Sequence, residues 1–238
     1  MDFKHNHLLK ILPKKTYCKL LPHLKLVHFR QGQILHLPGE IIQQVYFPLD
    51  CVLSITLTMN DTTTVEVGVI GNRELLGINA VMGNRETTQT EYIVQVSGTA
   101  LQISASVMRE TFNQDRLFRD LILRYNQAFI AQISQTTACN RLHLLEQRLS
   151  RWLLEVQERL NSNEIPLTQE FISNMLGVRR PAVTLTIQKL KKEGCISYSR
   201  GAILIINQNK LENCSCECFE NVKREYNRLL EIKPQDSN

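Results

Sequence analysis

Short apolar runs separated by turn residues dominate the first half of the chain. From Leu24 to Ile103 they read LKLVHFRQGQ, ILHLPGE, QQVYFPLD, CVLSITLTMND, TTTVEVGVIG, TEYIVQVSG and TALQIS. Gly32, Pro38-Gly39, Pro48, Asn60-Asp61, Gly71-Asn72 and Gly98 punctuate them about every ten residues, the spacing of an all-β sandwich or barrel. Two short helices, 6–12 and 16–21, are expected before it, split by Pro13. At Asp115 the period becomes helical and holds to Thr137 without a breaker, a helix on the order of 35 Å long. It carries two stripes: Leu117, Leu121, Arg124, Ala128 and Ala131; and Phe118, Ile122, Tyr125, Phe129 and Ile133. One stripe can cover the barrel, and the first is expected to meet the same helix of a second chain. Asn140-Arg141 is the expected hinge. A further helix, 144–160, turns Leu145, Leu149, Trp152, Leu153 and Val156 inward and ends at Asn161-Ser162-Asn163.

The stretch 167–206 has the densest local signals. Thr168 is an N-cap residue, and Glu170 places a negative charge in the first turn, where the helix dipole favours it. Phe171, Ile172, Met175 and Leu176 form one apolar face, and Gly177 supplies the left-handed stop. Arg179, Arg180 and Pro181 open a second helix, since proline suits a first turn. Val183, Ile187 and Leu190 mark its buried stripe up to Gly194. Two helices joined by a tight glycine turn form a helix-turn-helix, whose second helix enters the DNA major groove. The segments 195–198 and 202–206 then make a hairpin around Ser199-Arg200-Gly201, so the unit is winged.

Charge agrees with that reading. The 238 residues carry a net +5; between Thr168 and Ile206, six basic residues against Glu170 and Glu193 supply +4 of it. Opposite the buried stripe, the second helix presents Arg180, Pro181, Thr184, Leu185 and Gln188 as base readers. Thr168, Gln169, Arg179 and Arg200 are expected to contact phosphates, which position without specifying. Double-stranded DNA is therefore the expected partner.

Composition narrows the remaining classes. At 43% hydrophobic and 21% charged, the chain is an ordinary globular one. It has no run of about 18 apolar residues, so no membrane partner is expected. Its N-terminus has too short an apolar stretch for a signal peptide. Seven cysteines without regular spacing point to free thiols and a cytoplasmic location. Enzyme activity is not expected: the only H-x-H, His5 and His7, precedes the barrel, and there is no G-x-S-x-G, P-loop or G-x-G-x-x-G. A sensor or scaffold that does not bind DNA is the alternative.

The order of barrel, long helix, hinge and winged helix-turn-helix resembles the Crp/Fnr family of bacterial transcription regulators. The resemblance rests on LTQEFISNMLGVRRPAVT and KLKKEGCISYSRGAI, with PGE (38–40), EVGVIGNRELLG (66–77) and CNRLHLLEQRLSRWLL (139–154) in support. It implies an α+β chain: a cupin-like β-roll sensor (1–114), a dimerisation helix and hinge (115–140), and a winged helix-turn-helix domain (141–238). It also implies a homodimer on an inverted repeat, with RNA polymerase as a further partner. Members that bind cyclic AMP hold its phosphate with a Gly-Glu pair and an Arg-Ser pair. Here the first is replaced by 73–77 and the second falls on Thr88 and Gln89, with Arg73 and Arg85 as possible substitute cations near Glu74. The effector is accordingly unknown and not expected to be cyclic AMP. No cofactor is expected: the N-terminal region has only Cys18, and no histidine sits in a haem motif. Cys214, Cys216 and Cys218 form a C-x-C-x-C cluster at the start of a helix running to about Leu230; such a cluster can bind a soft metal or sense oxidation, but no fourth Cys or clustered His completes a tetrahedral zinc site, so packing is the favoured role.

Overall fold

A computed structural model describes residues 5–230. Two short helices, α1 (His7–Lys10) and α2 (Lys14–Leu20), lead into seven strands: β1 (Lys25–Phe29), β2 (Ile34–His36), β3 (Gln44–Pro48), β4 (Val52–Thr58), β5 (Thr64–Ile70), β6 (Glu91–Val96) and β7 (Gly98–Ser104). They form two antiparallel sheets, ordered β1-β7-β3 and β2-β6-β4-β5. Between them lie Phe29, Val45, Phe47, Leu53, Ile70, Tyr92, Val94, Leu101 and Ile103, all buried. This is the all-β unit that the short apolar runs predict, in the β-roll form that the family resemblance implies, with Leu8 and Leu9 of α1 buried in the same core.

A helix not foreseen in the sequence, α3 (Ala105–Gln114), follows, capped by Ser104. Asp115 then caps α4 (Arg116–Leu142) by accepting the Leu117 and Phe118 amides. Phe118, Leu121, Ile122, Tyr125, Ala128 and Phe129 of α4 are buried in the β-roll core. Tyr125 donates its hydroxyl to the Leu75 carbonyl at 2.6 Å, and Gln132 donates to the Val69 carbonyl at 3.1 Å. Gly68 makes this approach possible: a Cβ there would stand 2.8 Å from the Phe129 ring.

The expected hinge at Asn140-Arg141 lies inside α4. The helix runs on to Leu142, and the break falls at His143, whose backbone is extended. Beyond it come α5 (Leu145–Leu160), β8 (Glu164–Ile165), α6 (Gln169–Leu176), α7 (Arg180–Lys192), β9 (Ile196–Ser199), β10 (Ala202–Ile205), α8 (Gln208–Cys214) and α9 (Cys218–Leu230). A second core gathers Leu149, Trp152, Leu153, Val156, Ile172, Val183, Ile187, Leu190, Ile196 and Ile203. β8 adds a third strand to the wing, in the order β8-β10-β9. The last helix returns to the first core: Val222, Tyr226, Leu229 and Leu230 of α9 are buried with the β-roll, and Tyr226 donates to Gln132 at 2.7 Å. Among the described residues, no helix is long and apolar enough to cross a membrane.

Candidate nucleic-acid interface

Local chemistry fixes the helix-turn-helix. The Thr168 hydroxyl accepts the Phe171 amide at 3.2 Å and starts α6. Gly177 ends it with φ +61, while the Gly177 and Val178 amides return to the Asn174 and Ser173 carbonyls. A side chain in that left-handed conformation would be strained, which is why glycine occupies the turn. Arg179 caps α7 and Pro181 occupies its first turn. Val183, Ile187 and Leu190 anchor the buried side of α7.

Arg180, Pro181, Leu185 and Gln188 are exposed on the opposite side. Leu185 is 67% exposed, a large apolar group on an otherwise polar helix face. Thr184 is half-buried and donates its hydroxyl to Gln169 Oε1 at 2.6 Å, so it ties α7 to the start of α6. The wing turns through Arg200 (φ +50) and Gly201 (φ +78), which leaves Arg200 exposed at the tip. A Cβ on Gly201 would lie 3.7 Å from the Thr168 methyl, so the wing tip sits beside the start of α6. Arg179 and Thr168 are also exposed. Lys189 is taken up by Glu146 of α5, to which it is ion-paired.

Two expected seam residues are not available at the surface. Leu121 and Ala128 are 3% and 0% exposed because they face this chain's own β-roll. The exposed large apolar residues on α4 are Leu117, Leu123, Ile130 and, at its end, Leu142, while Arg124 and Ala131 are half-buried. Leu123 and Ile130 stand seven residues apart, the spacing that keeps side chains on one seam between paired helices.

The expected effector residues separate into two groups. Arg73 and Glu74 turn toward α5, not into the β-roll. Arg73 pairs with Glu158 at 3.3 Å. Glu74 pairs with Arg159 at 2.8 Å and accepts the Gly71 amide at 2.7 Å. Arg85 and Gln89 are exposed, and the hydroxyls of Thr88 and Thr90 lie 2.8 Å apart. A small cavity of about 20 Å³ beside Arg73, Glu74, Glu158 and Arg159 is too small for more than a water molecule.

The three C-terminal cysteines do not share one helix. Cys214 ends α8, Cys216 lies in the link and Cys218 begins α9. Cys214 meets Cys195 and Glu193, with the Cys214 and Cys195 sulfurs 3.8 Å apart. Cys216 and Cys218 instead meet Cys139 and His143 at the end of α4, the missing Cys and His of the sequence reading. No helical spacing in the sequence signals this pairing, since His143 lies at the extended break after α4.

Comparison with known proteins follows the same division. The Crp-like helix-turn-helix domain matches residues 147–214, and the cyclic nucleotide-binding domain matches residues 26–115. The nitrogen fixation regulation protein FixK of Bradyrhizobium diazoefficiens is 24% identical over 198 residues, covering 78% of this chain and 80% of that protein. FixK2 from Bradyrhizobium japonicum superposes with a TM-score of 0.70 at 13% identity, over 81% of this chain and 98% of that one. The regulator CLP of Xanthomonas campestris, described as c-di-GMP-responsive, gives 0.65 at 14% identity over 82% and 100%. A transcriptional regulator of the CRP family from Thermus thermophilus gives 0.67 at 14% identity over 79% and 96%.

Proposed function

Because this chain belongs to the Crp/Fnr family of transcription regulators, we propose that it binds an inverted-repeat operator as a homodimer and answers to an effector other than cyclic AMP. The observation that carries the DNA reading is the exposed face of α7, flanked by the exposed Arg200 of the wing. Arg180 reads guanine through two hydrogen bonds, and Gln188 suits adenine. Pro181, Leu185 and the Thr184 methyl suit thymine methyl groups, which favours an A·T-rich half-site. Thr168, Gln169, Arg179 and Arg200 contact phosphates. In this reading α5 to α8 form the DNA-binding unit, α4 with the break at His143 the dimer helix and hinge, and the β-roll the sensor. The dimer seam runs along Leu123 and Ile130, with Leu117, Arg124 and Ala131 on the adjacent line of the helix. The protein is a cytoplasmic regulator without enzyme activity, and RNA polymerase is its further partner.

Chemistry argues against cyclic AMP. A buried phosphate needs a cation with hydrogen-bond donors. Thr88 and Gln89 are neutral, and Arg73 is already engaged by Glu158. CLP, described as c-di-GMP-responsive, is a precedent for another effector on this fold. A mobility-shift assay on the protein's own promoter DNA tests the reading. A shifted complex that Arg180→Ala weakens by roughly 1–3 kcal/mol at one base step supports it. No shift at any protein concentration would leave the non-DNA-binding sensor.

A further inference from the structure

The link between α8 and α9 meets the hinge end of α4 at four side chains: Cys139, His143, Cys216 and Cys218. All three cysteines are buried, and the His143 side chain is 17% exposed. Their four nearest donor atoms lie within 4.8 Å of one another. Cys139 Sγ is 3.5 Å from Cys216 Sγ, and Cys218 Sγ is 3.5 Å from His143 Nδ1. In a tetrahedral zinc site with Zn–S near 2.3 Å and Zn–N near 2.0–2.1 Å, neighbouring donors stand roughly 3.5–3.8 Å apart. We propose that Cys139, His143, Cys216 and Cys218 form a Cys3His site for a divalent cation of the zinc class.

The surroundings fit a ligand set better than simple packing. Glu217 Oε1 lies 3.4 Å from His143 Nε2, the ring nitrogen that does not face Cys218. A proton held on Nε2 by that carboxylate leaves Nδ1 with its lone pair facing Cys218, and such a carboxylate is a common support for a metal-bound histidine. Gln135 donates its amide N–H to Cys218 Sγ at 3.1 Å. Three thiolates and one divalent cation carry a net charge of −1. The buried Arg151 guanidinium is ion-paired with Glu155 at 2.8 Å and is also attracted to Cys139 and Cys216, so it relieves only part of that charge. The N-terminus of α9, where Cys218 sits, also favours negative charge. Cys214 stands outside the set, against Cys195 and Glu193. His143 is the extended residue between α4 and α5, so a bound cation would fasten α9 to the hinge.

The test reads metal binding, and its outcome is independent of DNA recognition. The full chain is purified under reducing conditions, stripped with a chelator and titrated with Co²⁺, then Zn²⁺. The expected result is about one equivalent of tetrahedral cobalt with thiolate-to-cobalt charge-transfer absorption, displaced by about one equivalent of zinc. The double variant Cys216→Ser/Cys218→Ser loses the absorption and holds zinc at least about 100-fold more weakly. Cys214→Ser keeps both, and Glu217→Gln weakens zinc about tenfold. Should the double variant fail to fold by circular dichroism, His143→Ala serves instead: charge transfer stays, the tetrahedral bands shift and affinity falls. Absence of charge-transfer absorption in the unaltered protein overturns the proposal. So does its loss in Cys214→Ser alone, or a Cys139–Cys216 disulfide in freshly purified protein.

Discussion

Arg159 of α5 reaches Glu74 of the β-roll at 2.8 Å, and both side chains are buried. The pair joins the helix-turn-helix end of the chain to the β-roll. Glu74 uses its second oxygen on the Gly71 amide, and Arg159 also donates to the Glu155 carbonyl. Removing one partner leaves the other charge buried without compensation, the costly case for an ion pair. Glu74→Ala is therefore expected to lower stability by about 3–5 kcal/mol in urea unfolding. A loss below about 1 kcal/mol would mean that water compensates Arg159 there. Gly71→Ala probes the same contact by shape, since its Cβ would meet the Arg159 Cβ at 2.4 Å.

Glu66 makes the neighbouring contact pH-sensitive. Its carboxylate accepts the Trp152 indole N–H at 2.7 Å, and burial pushes its carboxyl up from 4.5 to about 7. Between those values the folded chain keeps the proton and the unfolded chain has released it. Stability therefore falls as pH rises from about 4.5 to about 7 and stays low above. Glu66→Gln, which cannot ionise, should remove that fall, a difference of about 2–3 kcal/mol between pH 5 and pH 8. Denaturant unfolding at the two pH values measures it. An unchanged slope in the variant would place the titration elsewhere.

The two sides of α4 respond differently to charge. Ile130 is 55% exposed, so Ile130→Glu should leave the fold intact by circular dichroism and give monomers by sedimentation. Ala128 is fully buried against the β-roll, and Ala128→Glu should unfold that contact. A dimeric Ile130→Glu would move the seam off this stripe.

Cyclic nucleotides test the sensor. With neutral Thr88 and Gln89 and an engaged Arg73, the loss of a charge-assisted pair costs on the order of 2–5 kcal/mol. Calorimetry with cyclic AMP or cyclic GMP should show no binding tighter than about 10 µM. Tighter binding, abolished by Arg85→Ala, would identify Arg85 as the phosphate's cation and contradict the effector reading.

Local rules were legible in the chain and distant ones were not. Gly177, Pro181 and Gly201 act on their own backbone, and they announced the helix-turn-helix and wing before any tertiary contact was considered. The short apolar runs between turn residues announced an all-β unit in the same way. Glu74 was different: its partner Arg159 lies on a helix 85 residues away, and no local pattern names the helix that covers a loop. Ala128 lies on the stripe expected to meet a second chain, but it packs into this chain's own core, which the stripe alone does not reveal. The pairing of Cys139 and His143 with Cys216 and Cys218 depends on α9 folding back along α4, which neither segment specifies alone.

Binding-site selection tests the central claim most directly. The full chain is incubated with a random duplex library, and bound DNA is recovered and sequenced. A two-fold dimer presenting α7 twice should enrich an inverted repeat, A·T-rich at the half-sites, with half-site centres about 34 Å apart or a multiple of that. Arg180→Ala should lose the preference at one symmetric base step and keep the rest. No enrichment, or a single half-site without its inverted partner, would contradict the dimeric operator-binding account.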